Sequence, residues 1–292
     1  MHRRTFIRGL GAALALPSAL PSALPRAPRP AGGQQATGRR VERIGLQLYT
    51  LRDAARADLA RTLGDIAAAG FREVELLDSM GNFGMPPARL RQLLDRLHLA
   101  APSTHIDTAA LDDLPRLVRD AHTLGHAYVV VASLPLDRQR ATLDDYRRWA
   151  DRLNAAGETV RHAGLWLGFH NEPENFAPID GQVPYDVLVA HTDPARVRLQ
   201  LDTGNAAIGG ANPLAYMERF ADRYWLFHLK DAARLGAAHD AELGTGVVDF
   251  RQLLARAGSL ARKYVYIEQE SYPGAPIDSV RRDYKYLAEL TF

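Results

Sequence analysis

Four residues of this chain have types and settings suited to a divalent cation. His170 stands in GFHNE (168–172), Asp202 in LQLDTGN (199–205), His228 in LFHLKD (226–231) and Glu268 in YIEQE (266–270). Each closes a short apolar run of the kind that forms a buried strand. Imidazole and carboxylate are ligands that suit Mn, Co, Zn or Fe. A lone histidine at a strand end is more often packed or hydrogen-bonded than metal-bound. Three such histidines (His105, His170 and His228), with Asp202 and Glu268 in equivalent places, shift the reading toward a metal site. The chain has no cysteine, which excludes disulfides, thiolate zinc sites and cysteine nucleophiles.

These ends meet only if the strands are parallel and closed. After Arg40, apolar runs alternate with stretches of helical period. The strands are expected at Ile44–Leu51, Glu73–Leu77, Leu99–His105, Ala127–Ala132, Leu165–Asn171, Val197–Asp202, Tyr224–Leu229 and Tyr264–Glu268. The helices are expected at Arg56–Ala69, Pro87–Leu97, Leu111–Leu124, Leu143–Ala163, Tyr185–His191, Pro213–Phe220, Phe250–Ala257 and Ile277–Leu290. Eight of each predict a single α/β domain over 41–292, a (β/α)8 barrel, whose strand C-termini share one rim. An open doubly wound sheet is the alternative, but no G-x-G-x-x-G turn follows the first strand. Gly70 and Gly125 read as helix C-caps, and Asp53 and Asp249 as N-caps. The irregular stretches Asp78–Met85, Glu174–Pro184 and Ala232–Val247 follow strands and belong on the same rim.

At 292 residues, with 47% apolar and 24% charged, the chain has an ordinary globular composition. Its net charge of +2 comes from 36 basic and 34 acidic residues without a basic cluster. A nucleic-acid groove is therefore not expected. Residues 1–38 read as an export leader and linker. Arg3-Arg4 precede Phe6-Ile7, an apolar stretch runs from Gly9 to Leu16, and a Pro/Ala-rich segment follows. This resembles a twin-arginine signal and predicts a periplasmic protein folded, and able to load its metal, before export. The apolar stretch is too short and too interrupted by proline for stable membrane insertion, which needs about 20 residues.

Taken in order, the motifs resemble the sugar phosphate isomerase/epimerase group of xylose-isomerase-like barrels. The likeness begins with Gly45-Leu46-Gln47-Leu48-Tyr49-Thr50-Leu51-Arg52 and Val74-Glu75-Leu76. It continues through His170-Asn171, Leu201-Asp202-Thr203-Gly204-Asn205, Gly209-Gly210 and Asn212-Pro213. It closes with His228-Leu229-Lys230-Asp231, Gly244-Thr245-Gly246-Val247-Val248-Asp249-Phe250 and Glu268-Gln269-Glu270. The resemblance implies one divalent ion (Mn, Co, Zn or Mg) held by His170, Asp202, His228 and Glu268. It also implies a small carbohydrate substrate, and relatives are often dimers or tetramers. One departure stands out. Many relatives carry Glu where this chain has His170, so the facing glutamate pair of ketose 3-epimerases is in doubt.

The implied chemistry removes a proton beside a sugar carbonyl, a divalent cation stabilising the negative oxygen. Glu172 is the first choice for the proton shuttle and His105 the second. Lys230 is placed to hold a substrate oxygen or stabilise an oxyanion. Gln47, Glu75 and Asn171 are expected to hydrogen-bond sugar hydroxyls, with Tyr49 and Phe176 packing on the ring. The leading expectation is a metal-dependent sugar or polyol isomerase/epimerase. The first alternative is a 3-keto-glycoside lyase or hydrolase that works by elimination, which export favours. A sugar-binding barrel without catalysis is the second. The endonuclease branch of the superfamily does not fit the charge balance.

Overall fold

The computed structural model describes residues 38–292. The leader and linker read at 1–38 lie, apart from Gly38, outside the described residues. The described residues close eight parallel strands into a barrel. They are β1 (Gly45–Gln47), β2 (Glu73–Leu77), β3 (Ala100–Ile106), β4 (Tyr128–Val131), β5 (Trp166–His170), β6 (Val197–Asp202), β7 (Tyr224–Leu229) and β8 (Tyr264–Ile267). Closure runs through β1, whose Gly45 pairs with Tyr266 of β8 on one side and with Glu73 of β2 on the other. The barrel expected from the alternation is therefore the fold, and the open sheet is excluded.

Helices cover the outside because each has one apolar stripe. Leu90, Leu93 and Leu94 of Pro87–Leu97, and Leu117, Ala121 and Leu124 of Leu114–Leu124, recur at helical spacing and are buried against the strands. Two expected helices are divided. Arg56–Ala69 is instead Arg52–Ala57 and Leu59–Ala68, because Asp58 turns extended (φ −157°) and caps the second helix through Arg61 N. Asp53 therefore lies inside a helix and does not cap one. Asp249 does cap, accepting from Gln252 N. The helix expected from Leu111 starts at Leu114, after a 3-10 turn over Thr108–Asp112. A short helix at Thr203–Ile208, directly after β6, was not visible as a periodic run.

The barrel interior is layered. At the strand N-termini the Arg198 guanidinium lies 4.0 Å from the ring centres of both Trp166 and Trp225. Above it Tyr128, Val130, Leu226 and Tyr266 form a small apolar cluster. The next layer is polar and buried, built from Gln47, Glu75, Ser103 and Gln200. The histidines and carboxylates of the rim rest on that layer. No helix among the described residues is long and apolar enough to cross a membrane.

Candidate metal centre

The four expected ligands do converge. His170, Asp202, His228 and Glu268 are all buried, and one ligand atom from each lies within 4.8 Å of the others. His170 Nε2 is 3.4 Å from Asp202 Oδ2, and His228 Nδ1 is 2.5 Å from Glu268 Oε2 and 3.8 Å from Asp202 Oδ2. These same four atoms (His170 Nε2, Asp202 Oδ2, His228 Nδ1 and Glu268 Oε2) are buried without a hydrogen-bond partner. Buried polar atoms are ordinarily satisfied, so four such atoms gathered within 4.8 Å of one another could hold a cation. The donor set, two imidazoles and two carboxylates, fits a divalent ion.

Three of the four ligands are aimed by a neighbour. The Nδ1–H of His170 donates to the Ala132 carbonyl at 2.9 Å, leaving Nε2 for the site. Asn171 clasps Asp202 from the adjacent strand, accepting from its N–H and donating to its C=O, both at 3.0 Å. Asp202 Oδ1 accepts from Asn205 N at 2.7 Å and caps the short helix, which frees Oδ2. Nε2 of His228 donates to Glu75 Oε2 at 2.5 Å. Glu75 also accepts from Gln47 Nε2, Ser103 Oγ and Gln200 Nε2. Such outer contacts fix the ring orientation and tautomer of a metal ligand.

Gln47, Glu75 and Asn171, expected to hydrogen-bond sugar hydroxyls, have protein partners for their polar atoms. All three are fully buried, with their polar atoms taken up inside the barrel. The sequence put them at strand ends, but they sit one layer too deep or face a neighbouring strand. Phe176 is likewise buried, packed against Tyr185 and Tyr216, and Tyr49 alone of the two ring candidates lines the cavity.

The electrostatics agree with the geometry. Burial would raise the Glu75 carboxyl, but the imidazoles of His105 and His228 bring it down to about 2. Burial opposes charge on His228, yet Glu268 and Glu75 push it up to about 10. The acidic surplus at this point draws positive charge. Burial lowers His105 to about 4, so its ring is neutral, with Nε2 2.8 Å from Gln200 Oε1. Burial raises Glu172 to about 7. Glu172 accepts from Asn205 Nδ2 at 3.2 Å and stands 3.9 Å from His170 Nδ1.

Lys230 is buried among acids. Its ammonium bonds to Glu270 and to Asn205 Oδ1 at 3.2 Å, and lies 3.7 and 3.8 Å from Asp202 and Glu268. Burial works against this charge, but Glu268, Asp202 and Glu270 hold it well above the usual lysine range. Gly204 makes room, since a Cβ there would lie 2.4 Å from Lys230 Cγ. Glu270 and Asn205 were missed as partners of Lys230. The only signal was their nearness in sequence to Glu268 and Asp202. Asp231, also unassigned, gathers the rim loop by accepting from the backbone of Ala232, Gly244, Gly246 and Val248. Gly246 is needed there, because a Cβ would stand 2.3 Å from Asp231 Oδ1.

A closed parallel barrel with a cluster of candidate metal ligands at its strand C-termini defines the class of α/β barrels that build their active sites on that rim. Residues 63–290 match the family model of the xylose isomerase-like TIM barrel, and the chain belongs to that family. Inosose dehydratase of Lacticaseibacillus casei is 25% identical over 268 residues, covering 78% of this chain and 88% of the relative. A sugar phosphate isomerase/epimerase structure from Parabacteroides distasonis superposes with a TM-score of 0.73 at 21% identity, covering 85% and 98% of the two chains. A structure of the IOLI protein with a bound zinc atom gives a TM-score of 0.63 at 16% identity, over 83% and 95%. With an enzyme family around it and orphaned ligands at its centre, the protein is an enzyme and not a passive sugar-binding barrel.

Proposed function

We propose that the protein is a metal-dependent lyase acting on keto-sugars or keto-polyols by elimination beside a carbonyl. The carrying observation is Glu172, a half-buried carboxyl 3.9 Å from the ring of the candidate ligand His170. His170, Asp202, His228 and Glu268 would hold one divalent ion, with the zinc of the IOLI neighbour supporting a metal of this kind. When bound, that ion supplies Lewis-acid stabilisation of negative charge developing on oxygen.

The chain's own groups do the rest. Glu172, raised to about 7, can take a proton from carbon and return it to a departing oxygen near neutrality. In the elimination, the electrons of the broken C–H bond form a C=C bond, and the leaving group departs from the next carbon with its bonding pair. Lys230, fixed by Glu270 and Asn205, sets a positive charge beside the ligand carboxylates. Neutral His105 offers a lone pair to a substrate hydroxyl.

The inosose dehydratase relatives support this reading over isomerisation. Two-base epimerisation would want a second carboxylate at the end of β5, and this chain has His170 there. The isomerase reading retains support from neighbours such as an L-ribulose 3-epimerase structure. NMR of the metal-loaded protein with an inosose, a 3-keto-glycoside and a free ketose separates the two. Loss of water or aglycone is expected; ketose interconversion alone would overturn the lyase reading. The paired arginines at the start support export to the periplasm, which cell fractionation checks.

A further inference from the structure

The end of the barrel opposite the ligand cluster gathers arginine. Arg161 stands in the last turn of the helix (Leu143–His162) that leads into β5. Arg198 is the second residue of β6, Arg223 directly precedes β7, and Arg262 lies two residues before β8. These four strands are successive neighbours in the closed sheet, so their N-terminal ends bring four guanidinium groups to one arc. Arg198 reaches between Trp166 and Trp225, 4.0 Å from both ring centres, and Arg161 lies 3.7 Å from the ring centre of Trp166. The acids of this face are engaged elsewhere: Glu73 pairs with Arg43, and Glu158 and Asp193 with Arg196. Asp222 bears on Lys263. Among the described residues, none of the four arginines forms an ion pair.

Arg161 and Arg223 at least donate to carbonyls, of Leu165 and Val189 respectively. Half-buried Arg198 and exposed Arg262 make no hydrogen bond among the described residues, and the Arg198 Nε is sealed from solvent without a partner. Burial lowers the Arg198 pKa, and the charges of Arg161, Arg223 and Arg262 press the same way. Stacking on indole satisfies the flat face of a guanidinium but not the N–H donors in its plane. An oxyanion meets those donors and the surplus charge together, and the guanidinium fork matches its geometry. We infer that this arc is a phosphate-binding site, in which Arg198 and Arg262 hold a phosphate group at the end of the barrel away from the candidate metal ligands. Phosphate suits it better than a carboxylate, because it brings up to two negative charges and three acceptor oxygens to a set of four cations. The inference makes no use of the lyase reading and stands apart from it.

The test follows tryptophan emission, since two of the three tryptophans flank Arg198. Sodium phosphate is titrated into the protein at neutral pH, with sodium chloride holding the ionic strength constant. A saturable change in emission and a rise in melting temperature are expected. Arg262→Ala should weaken phosphate binding roughly tenfold, as loss of one charge-assisted hydrogen bond does, and Arg198→Met should remove it. Glycerol phosphate and acetate are the comparison arms. Binding of the ester as tight as that of inorganic phosphate, or tighter, assigns the site to a phosphate carried on a larger molecule; weaker binding of the ester assigns it to the free ion. Acetate binding as tightly as phosphate overturns the inference. So does the absence of saturation beyond the chloride control, or an unchanged phosphate affinity in Arg262→Ala. Should Arg198→Met fail to fold, Arg262→Ala, at an exposed position, decides alone.

Discussion

Glu75 and His228, 153 residues apart in the chain, meet in the middle of the barrel with Oε2 2.5 Å from Nε2. The contact makes Nε2 a donor and turns Nδ1 toward Glu268 and Asp202. Glu75 is itself anchored by Gln47, Ser103 and Gln200, so the ring is set before any ligand arrives. Glu75→Gln removes the charge behind the ring while keeping a polar partner. Its affinity for manganese or cobalt, measured by calorimetry, is expected to fall about 10–100-fold, with the melting temperature little changed. Unchanged affinity would show that His228 needs no such backing.

Cation binding should be visible as stability. A ligand that binds only the folded chain stabilises it by about 2.7 kcal/mol at a concentration near 100 times its Kd. Chelator is expected to lower the melting temperature and added manganese, cobalt or zinc to restore it. Asp202→Asn can still accept from Asn205 N through its carbonyl oxygen, but it removes a ligand charge, and should abolish the response to metal.

Glu172 is assigned the proton. Glu172→Gln should reduce kcat by about 10²–10⁴-fold while metal content, measured by elemental analysis, stays at the level of the unaltered protein. Coincident loss of metal would instead make Glu172 part of the ligand set.

A second carboxyl reports on the rim from outside the site. Asp283 on the last helix (Pro276–Glu289) is 1% exposed, accepts from Leu243 N at 2.9 Å, and has Oδ2 without a partner. Burial raises its pKa to about 7 from the ordinary 3.8. The folded chain therefore keeps a proton that the unfolded chain loses above about pH 4. Stability is present in full below the unfolded pKa, falls as pH rises toward 7, and levels off above it. Asp283→Asn keeps an acceptor for Leu243 and removes the charge. It should stabilise the protein by about 1–3 kcal/mol at pH 8 and hardly at all at pH 4, as read by urea melts.

Much of the barrel could be read from the chain because strand and helix periods alternate clearly. β2, β6 and β7 fall within the ranges their apolar runs predict. The first strand was read too long, since Leu48–Leu51 is equally apolar but turns into a 3-10 helix capped by Gln47. The ligands were legible because each is the last inward residue of its strand, or follows it directly. What surrounds them was not. Whether Glu75 faces a sugar or a histidine depends on the layer it occupies. That layer is set by register shifts in β2/β3 and β6/β7, which leave no mark in the pattern of one strand. The partners of Lys230 depend on Gly204, whose missing side chain lets the lysine cross.

The Trp166–Arg198–Trp225 stack has a consequence for traffic. Together with Tyr266 above, it fills the base of the barrel, and the cavity lined by His105, His170 and Glu268 lies at the opposite, strand C-terminal end. Whatever is made inside must clear that end before a fresh molecule can descend. Product added at the outset should accordingly compete with incoming substrate, raising KM and leaving kcat alone.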